Sequence, residues 1–374
     1  MLGLYINYFL AFSAAFILAV VFTWAARALA LHWGVVDRPD GGRQLHLEPV
    51  PLLGGLGVFL AFFAVVFYFA YGTDMLVGQN ILLKYLWALL AAGGLLMIGG
   101  VLDDKFNLKP KWQIVWPILA ILAVIAGGIG VSKITNPFGG LLYLDQYQWI
   151  FFWHNGIAYK LTLFADLLTF FWLLGMMYTV KLLDGLDGLV SGFGAIGALI
   201  IFLLSTATRW WQPDTALLAI ILCGAASGFL VWNRHPAKIF LGEGGPLFIG
   251  FMLGVLSIIA GGKIATALLI MGVPILDVLW VILRRLFWEK KNPFRSADRG
   301  HLHFRLLDIG LSHRQAVWVL YLFAAGFGSL ALFLQSQDKL IALGAVAGVM
   351  IVLGGTLAVV SREKNVKIKN QNGK

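Results

Sequence analysis

Apolar residues in this chain come in long unbroken runs rather than in periodic stripes. Eleven runs approach or exceed the ~20 residues that carry a helix across the ~30 Å hydrocarbon core of a bilayer. They cover 5–29, 50–71, 82–102, 112–130, 161–183, 188–206, 215–232, 246–260, 264–286, 316–334 and 340–360. Charged residues fall mostly between them. Without water a backbone must satisfy its own hydrogen bonds, so each run reads as a helix. The pattern predicts an all-α polytopic membrane protein. Residues 1–360 form a single integral-membrane domain, and 361–374 form a polar tail. The first run starts in Met1–Asn7 without positive charge and continues to about Ala30. That is longer than a signal-peptide core, so it reads as a retained span. The connection 131–160 holds Asn136-Pro137-Phe138-Gly139-Gly140 before an apolar tetrad, which suits a short hairpin.

Composition agrees with the pattern. The chain is 60% hydrophobic and 12% charged, against about 25% charged in a soluble domain. A single cysteine, Cys223, excludes an intrachain disulfide. The net charge of +10 sits on no separate basic domain, which argues against a nucleic-acid partner. Basic residues instead orient the spans. With eleven crossings, all but six of the 28 Lys and Arg fall on one side. The positive-inside rule makes that side cytoplasmic, with the N-terminus outside and the C-terminus inside.

Acids at the ends of apolar runs carry the candidate chemistry. Asp103-Asp104 closes the third run, Asp184-Gly-Leu-Asp187 closes the fifth, and Glu243 stands in a glycine turn before the eighth. All fall on the predicted cytoplasmic side. A carboxylate beside a bilayer is costly and needs a partner. Two acids at a helix C-terminus also oppose its dipole, so they call for lysines or a metal. Asp184 and Asp187 share a face if the helix continues through Gly185. Mg2+ takes oxygen ligands from one or two carboxylates plus substrate phosphates. The first cytoplasmic loop carries Asp37, Arg43 and His46 among prolines and glycines, and a later loop carries Arg299, His301 and His303. Either set suits an anion, or a plain basic juxtamembrane loop. A zinc site would need a third nitrogen or sulfur ligand, for which His313 is the one close candidate. An Asp-x-x-Asp-Gly string also opens the CDP-alcohol phosphatidyltransferase signature, but here Leu189-Val190-Ser191-Gly192 follows, without its Ala-Arg and its further acids.

In order, these strings resemble the polyprenyl-phosphate N-acetylhexosamine-1-phosphate transferases, in the WecA/TagO-type branch that uses GlcNAc. The match runs from about Trp33 to Tyr321 and includes Pro236-Ala-Lys-Ile-Phe and Gly-Leu-Ser-His313-Arg-Gln. MraY, with a triple-histidine run where this chain has His-Leu-His-Phe304, is more distant. The resemblance implies transfer of HexNAc-1-phosphate from a UDP-sugar to undecaprenyl phosphate at the cytoplasmic face of a bacterial inner membrane. It implies Mg2+, with Mn2+ as an alternative, and membrane lipids as surroundings, and it admits a homodimer. Residue by residue it implies catalytic roles for Asp103, Asp104, Asp184 and Asp187. Metal ligation falls to Glu243 with Asp104 and Asp184. Substrate binding falls to Asp37, Arg43, His46, Lys111, Lys181, Arg299, His301 and His303. Several positions depart from the family. Lys181 stands where Asn is usual, Glu243 where Asp is, Pro246 where Ser is, and Gln44 where Lys is common. Lys181 is read as a fixed cation near the diphosphate, with Glu243 keeping the metal. A non-catalytic lipid-binding relative and a secondary transporter are the competing readings. A transporter expects acids at mid-span, which Asp277 suits best, and Asp277 is read instead as lining the cytoplasmic pocket.

Overall fold

The structure is a computed structural model. It describes residues 2–39, 48–78, 80–136, 140–154, 157–208, 211–261, 264–288, 290, 300–334, 338–352, 354 and 356. The tail 361–374 lies outside the described residues. Helices dominate. In chain order they are α1 (Leu2–Trp33), α2 (Gly54–Gly72), α3 (Leu83–Phe106), α4 (Pro110–Gln113), α5 (Val115–Gly127), α6 (Leu163–Leu183) and α7 (Leu189–Thr206). They continue as α8 (Pro213–Asn233), α9 (Gly244–Ile259), α10 (Ile264–Ile270), α11 (Gly272–Leu283), α12 (Leu302–Asp308) and α13 (His313–Phe333), with further helix over 338–352. Among the described residues, eight helices are long and apolar enough to span a membrane, or nine if the bent α10–α11 pair is one span.

Two predicted runs are interrupted at a proline, one bent sharply and the other, Pro110–Gly127, still counting as one span-length helix. Run 264–286 bends by 75° between α10 and α11. Pro274 cannot donate to the Ile270 carbonyl four residues back, and its ring would collide with it, so the helix breaks at Met271. Pro117 stands in the same relation to Gln113, where α4 gives way to α5. The all-α reading also needs amending in the connections. Among the described residues three two-stranded antiparallel ribbons occur there, among them β3 (Lys133–Thr135) with β4 (Leu141–Tyr143) and β5 (Gln148–His154) with β6 (Ile157–Thr162). The single hairpin expected over 131–160 is therefore two.

α9 is the hub. It is apolar all round, and fifteen of its sixteen residues are buried, as expected of a helix surrounded by others. It packs on α2, α3, α6, α7, α8 and α10. Glycines set the spacing. Gly100 of α3 rests on the Gly244 backbone, with no room for a Cβ on it. The C-terminal ends of α1, α3, α6 and α8 thus meet the N-terminal ends of α2, α7 and α9 at one end of the bundle. Asp103, Asp104, Asp184, Asp187 and Glu243 all lie at that end.

Candidate active site

At this end lies a cavity of about 1130 Å³. It is lined by Asp103 and Asp104 from α3, Lys181 from α6, Asp184 and Asp187 from the α6–α7 turn, and Glu243 at the start of α9. Asp37 completes the lining on another side. It sits in β1 (Val36–Asp37), which pairs with β2 (Val50–Pro51). The α8–α9 loop extends that ribbon, since Phe240 N–H donates to Pro51 O and Gly54 N–H donates to Phe240 O, both at 2.9 Å. Seven residues singled out in the sequence, scattered over some two hundred positions, therefore face one space.

Each acid is held differently. α3 stops at Asn107, whose left-handed φ of 49° closes the helix. The turn brings Leu108 N–H and Gln113 Nε2 to Asp103 Oδ1, at 2.9 and 3.1 Å. Both oxygens of Asp104 accept from Glu243 N–H, at 3.1 and 3.2 Å. That contact requires Gly242, whose φ is +68° and whose missing Cβ leaves space for the Asp104 carboxylate. The Lys181 ammonium lies 2.5 Å from Glu243 Oε2. Lys105, Lys109 and Lys111 make no ion pair with Asp103 or Asp104. Lys105 and Lys111 instead lie 5.6 Å from the rings of Phe106 and Trp112.

The α6–α7 turn differs from the sequence expectation. α6 ends at Leu183, with Asp184 as its cap and Asp187 in the following turn, so the two acids do not share a helix face. Asp187 accepts from His235 Nδ1 at 2.7 Å and from Ala237 N–H at 3.2 Å. It ties the α8–α9 loop to the turn rather than presenting a second free carboxylate. Asn233 reinforces the tie, accepting from Gly188 N–H and Ser191 Oγ and donating to Ile239 O. Asp184 opens onto the cavity but has protein packed around it. That packing, with the charges of Glu243 and Asp187, pushes its carboxyl up to about 7. The cavity is short of positive charge.

The expectations for Asp277, His301, His303 and Lys111 are corrected; His301 is buried and does not line the cavity. Asp277 does not line the cavity. It is buried in α11, accepting from His301 Nδ1 at 2.9 Å and from Leu302 N–H at 2.8 Å. It therefore fixes the His301 proton on Nδ1 and anchors the start of α12. His303 is 1% exposed, with no hydrogen bond to either ring nitrogen. It packs against the Gly185 backbone, where a Cβ would strike the imidazole. Burial first, then the neighbouring His301 and His313, push it down to about 3. It is a neutral wedge behind the Asp184 turn, not a phosphate-binding cation. Lys111 is exposed and does not line the cavity. Arg43, His46 and Arg299 lie outside the described residues.

Sequence reasoning missed His235 and weighed His313 only as a zinc ligand; both line the cavity and stack with ring centres 4.1 Å apart. Ser312 and Gln315 form a capping box that opens α13 at His313, and Ser-x-x-Gln before an apolar run is a readable signal for it. Ligand atoms of Asp187, His235 and His313 lie within 4.8 Å of one another, a spacing compatible with a metal. The ring planes, however, are only 16° apart. A nitrogen lone pair lies in its ring plane, and two nearly parallel planes do not converge on one ion at bonding distance. Asp103, Asp104, Asp184 and Glu243 offer only oxygen donors to the cavity, although among the described residues no three of them bring ligand atoms within 4.8 Å of one another. Hard oxygen ligands and unbalanced negative charge suit Mg2+ or Mn2+.

A buried hub helix carrying Glu243 beside Asp103, Asp104 and Asp184 sets a carboxylate-lined cavity at one end of an apolar, membrane-spanning bundle. Residues 86–261 match glycosyl transferase family 4. The chain is 32% identical to a decaprenyl-phosphate N-acetylglucosaminephosphotransferase of Mycolicibacterium smegmatis, over 91% of this chain and 86% of that one. It is 29% identical to a probable undecaprenyl-phosphate N-acetylglucosaminyl 1-phosphate transferase of Bacillus subtilis, over 96% and 93%. It is also 29% identical to the undecaprenyl-phosphate alpha-N-acetylglucosaminyl 1-phosphate transferase of Escherichia coli K12, over 86% and 82%. The chain belongs to glycosyl transferase family 4, and it is a multi-pass membrane protein.

Proposed function

We propose that this chain transfers GlcNAc-1-phosphate from UDP-GlcNAc to undecaprenyl phosphate. A phosphate oxygen of the lipid attacks the β-phosphorus. The bond from that phosphorus to the UMP oxygen breaks, UMP leaves, and undecaprenyl-diphospho-GlcNAc remains. The observation that carries this reading is the convergence of Asp103, Asp104, Asp184 and Glu243 on one cavity at the helix ends. Phosphoryl transfer needs little covalent help from a protein. It needs alignment and relief of negative charge.

Asp104, Asp184 and Glu243 would hold a Mg2+ ion, which supplies neutralisation of the diphosphate oxygens. The chain's own groups do the rest. Asp103, with Oδ1 fixed by Leu108 and Gln113, turns its other oxygen toward the lipid phosphate and orients it. The N-terminus of α9 adds the positive end of its dipole beside the reacting phosphates. Asp37 sits on the same wall. His301 keeps its proton on Nδ1 and stacks on His303 without lining the cavity. Eleven spans, with the N-terminus outside and this end of the bundle at the cytoplasmic leaflet, would put the site where sugar nucleotides are made. Asp277 no longer favours a transporter, because its carboxylate is engaged by α12.

The test is purified protein with radiolabelled UDP-GlcNAc, undecaprenyl phosphate and Mg2+. Release of UMP together with a lipid-soluble label is expected, and Asp103→Asn and Glu243→Ala should each lose most of it. Label crossing a sealed vesicle would indicate transport. Absence of both outcomes in folded protein would indicate a lipid-binding relative without catalysis.

A further inference from the structure

Divalent-ion sites gather carboxylates and keep cations away, since a cation beside a ligand repels the ion. Lys181 departs from that arrangement. Its ammonium pairs with Glu243 Oε2 at 2.5 Å. That oxygen is shut off from water and makes no other polar contact. Asp103 lies within the same field. Lys181 therefore stands among Asp103, Asp104, Asp184 and Glu243, four of the carboxylates that line the cavity, on the last turn of α6 one turn before Asp184.

We propose that Lys181 is a resident counter-cation that couples divalent-ion binding to nucleotide binding at the phosphotransfer site assigned above. Without substrate it holds Glu243 and keeps the site's own affinity for the ion low. When the sugar nucleotide enters, its diphosphate attracts the ammonium, and Glu243 is released to the ion. The side chain suits this exchange. An ammonium has three donors on a flexible four-carbon stem, so it can trade a carboxylate oxygen for a phosphate oxygen without backbone movement. Coupling of this kind is reciprocal, so the ion must also tighten nucleotide binding.

The test reads binding rather than turnover. Mn2+ is titrated into purified protein and followed by the resonance of the free ion, with and without UDP, correcting for ion held by UDP in solution. A unit charge about 6 Å from a divalent ion in a water-filled cavity changes affinity by about tenfold. Without nucleotide, Lys181→Met and Lys181→Gln should each bind Mn2+ about tenfold more tightly than wild type. Lys181→Arg should keep the wild-type affinity. UDP should tighten Mn2+ binding in wild type by about tenfold and in Lys181→Gln by much less. Equal or weaker Mn2+ affinity in both neutral variants would overturn the proposal, as would a UDP effect of the same size in wild type and Lys181→Gln. Neither result would touch the transfer reaction, which is measured separately, and failure of transfer would leave these affinities to be judged on their own.

Discussion

Replacing Gly242 with alanine tests how the site is built. Gly242 has φ +68°, and an added Cβ would fall on Asp104 Oδ2. The left-handed conformation costs an ordinary residue about 1–2 kcal/mol. Moving the Asp104 carboxylate aside also breaks its charge-assisted hydrogen bond from Glu243 N–H, worth about 1.5–3 kcal/mol. The fold can absorb this locally, because the turn is at the cavity wall. The catalytic geometry cannot, since displacing a positioning group by about 1 Å typically lowers rate by about 10²-fold. Gly242→Ala is therefore expected to remain folded and to lose about 10²–10³-fold in kcat. Gly94→Ala is the control. It lies in the same helix as Asp104 with nothing within 4 Å of its added Cβ, and it should retain full activity. Initial rates of UMP release, beside thermal melts of both variants in detergent, settle the matter. Activity of Gly242→Ala within twofold of wild type would refute the claim that this turn positions Asp104 and Glu243.

Three other outcomes are expected. His303 is buried and held down to about 3, against about 6.5 in an unfolded chain. The unfolded state therefore binds more protons below pH 6.5. Stability is fully present above that value and is lost as pH falls toward 3. Going from pH 7 to pH 5 should cost about 2 kcal/mol, and His303→Phe should remove that part of the acid sensitivity in denaturation midpoints. Asp277→Asn should fold normally, with its oxygen still accepting from Leu302 N–H. Its amide would place a donor against His301 Nδ1 and force the ring proton to Nε2, so kcat should fall about tenfold or more while melting temperature stays put. Gly185→Ala should be destabilising by about 1–3 kcal/mol because its Cβ meets the His303 ring, with the melt recovered in Gly185→Ala combined with His303→Ala.

The membrane-spanning character was legible because apolar runs of span length need no partner to be recognised. Their interruptions were legible only in hindsight. Pro117 and Pro274 mark where α4–α5 and α10–α11 break, yet prolines are also tolerated in membrane helices, so the string alone does not choose. The carboxylates were readable because an acid at the end of an apolar run is costly without a role. Their partners were not. Asp277 and His301, and His235 and His313, meet across long intervening segments, and nothing local to either residue announces the other. For that reason Asp277 was assigned to the cavity and His303 to a phosphate, when one anchors α12 and the other fills space behind Gly185. The Lys181–Glu243 pair lies between these extremes. Both positions were singled out as departures, and their contact follows from α9 packing against α6.

Labelling the β-phosphorus of UDP-GlcNAc with 32P tests the central claim most directly. If the carboxylate cavity performs attack at that phosphorus, the label moves into the lipid fraction in step with UMP release, and Glu243→Ala abolishes both. Label that stays in the aqueous phase as UDP while GlcNAc reaches the lipid would mean that the bond broken is the glycosidic one, and the account would be wrong.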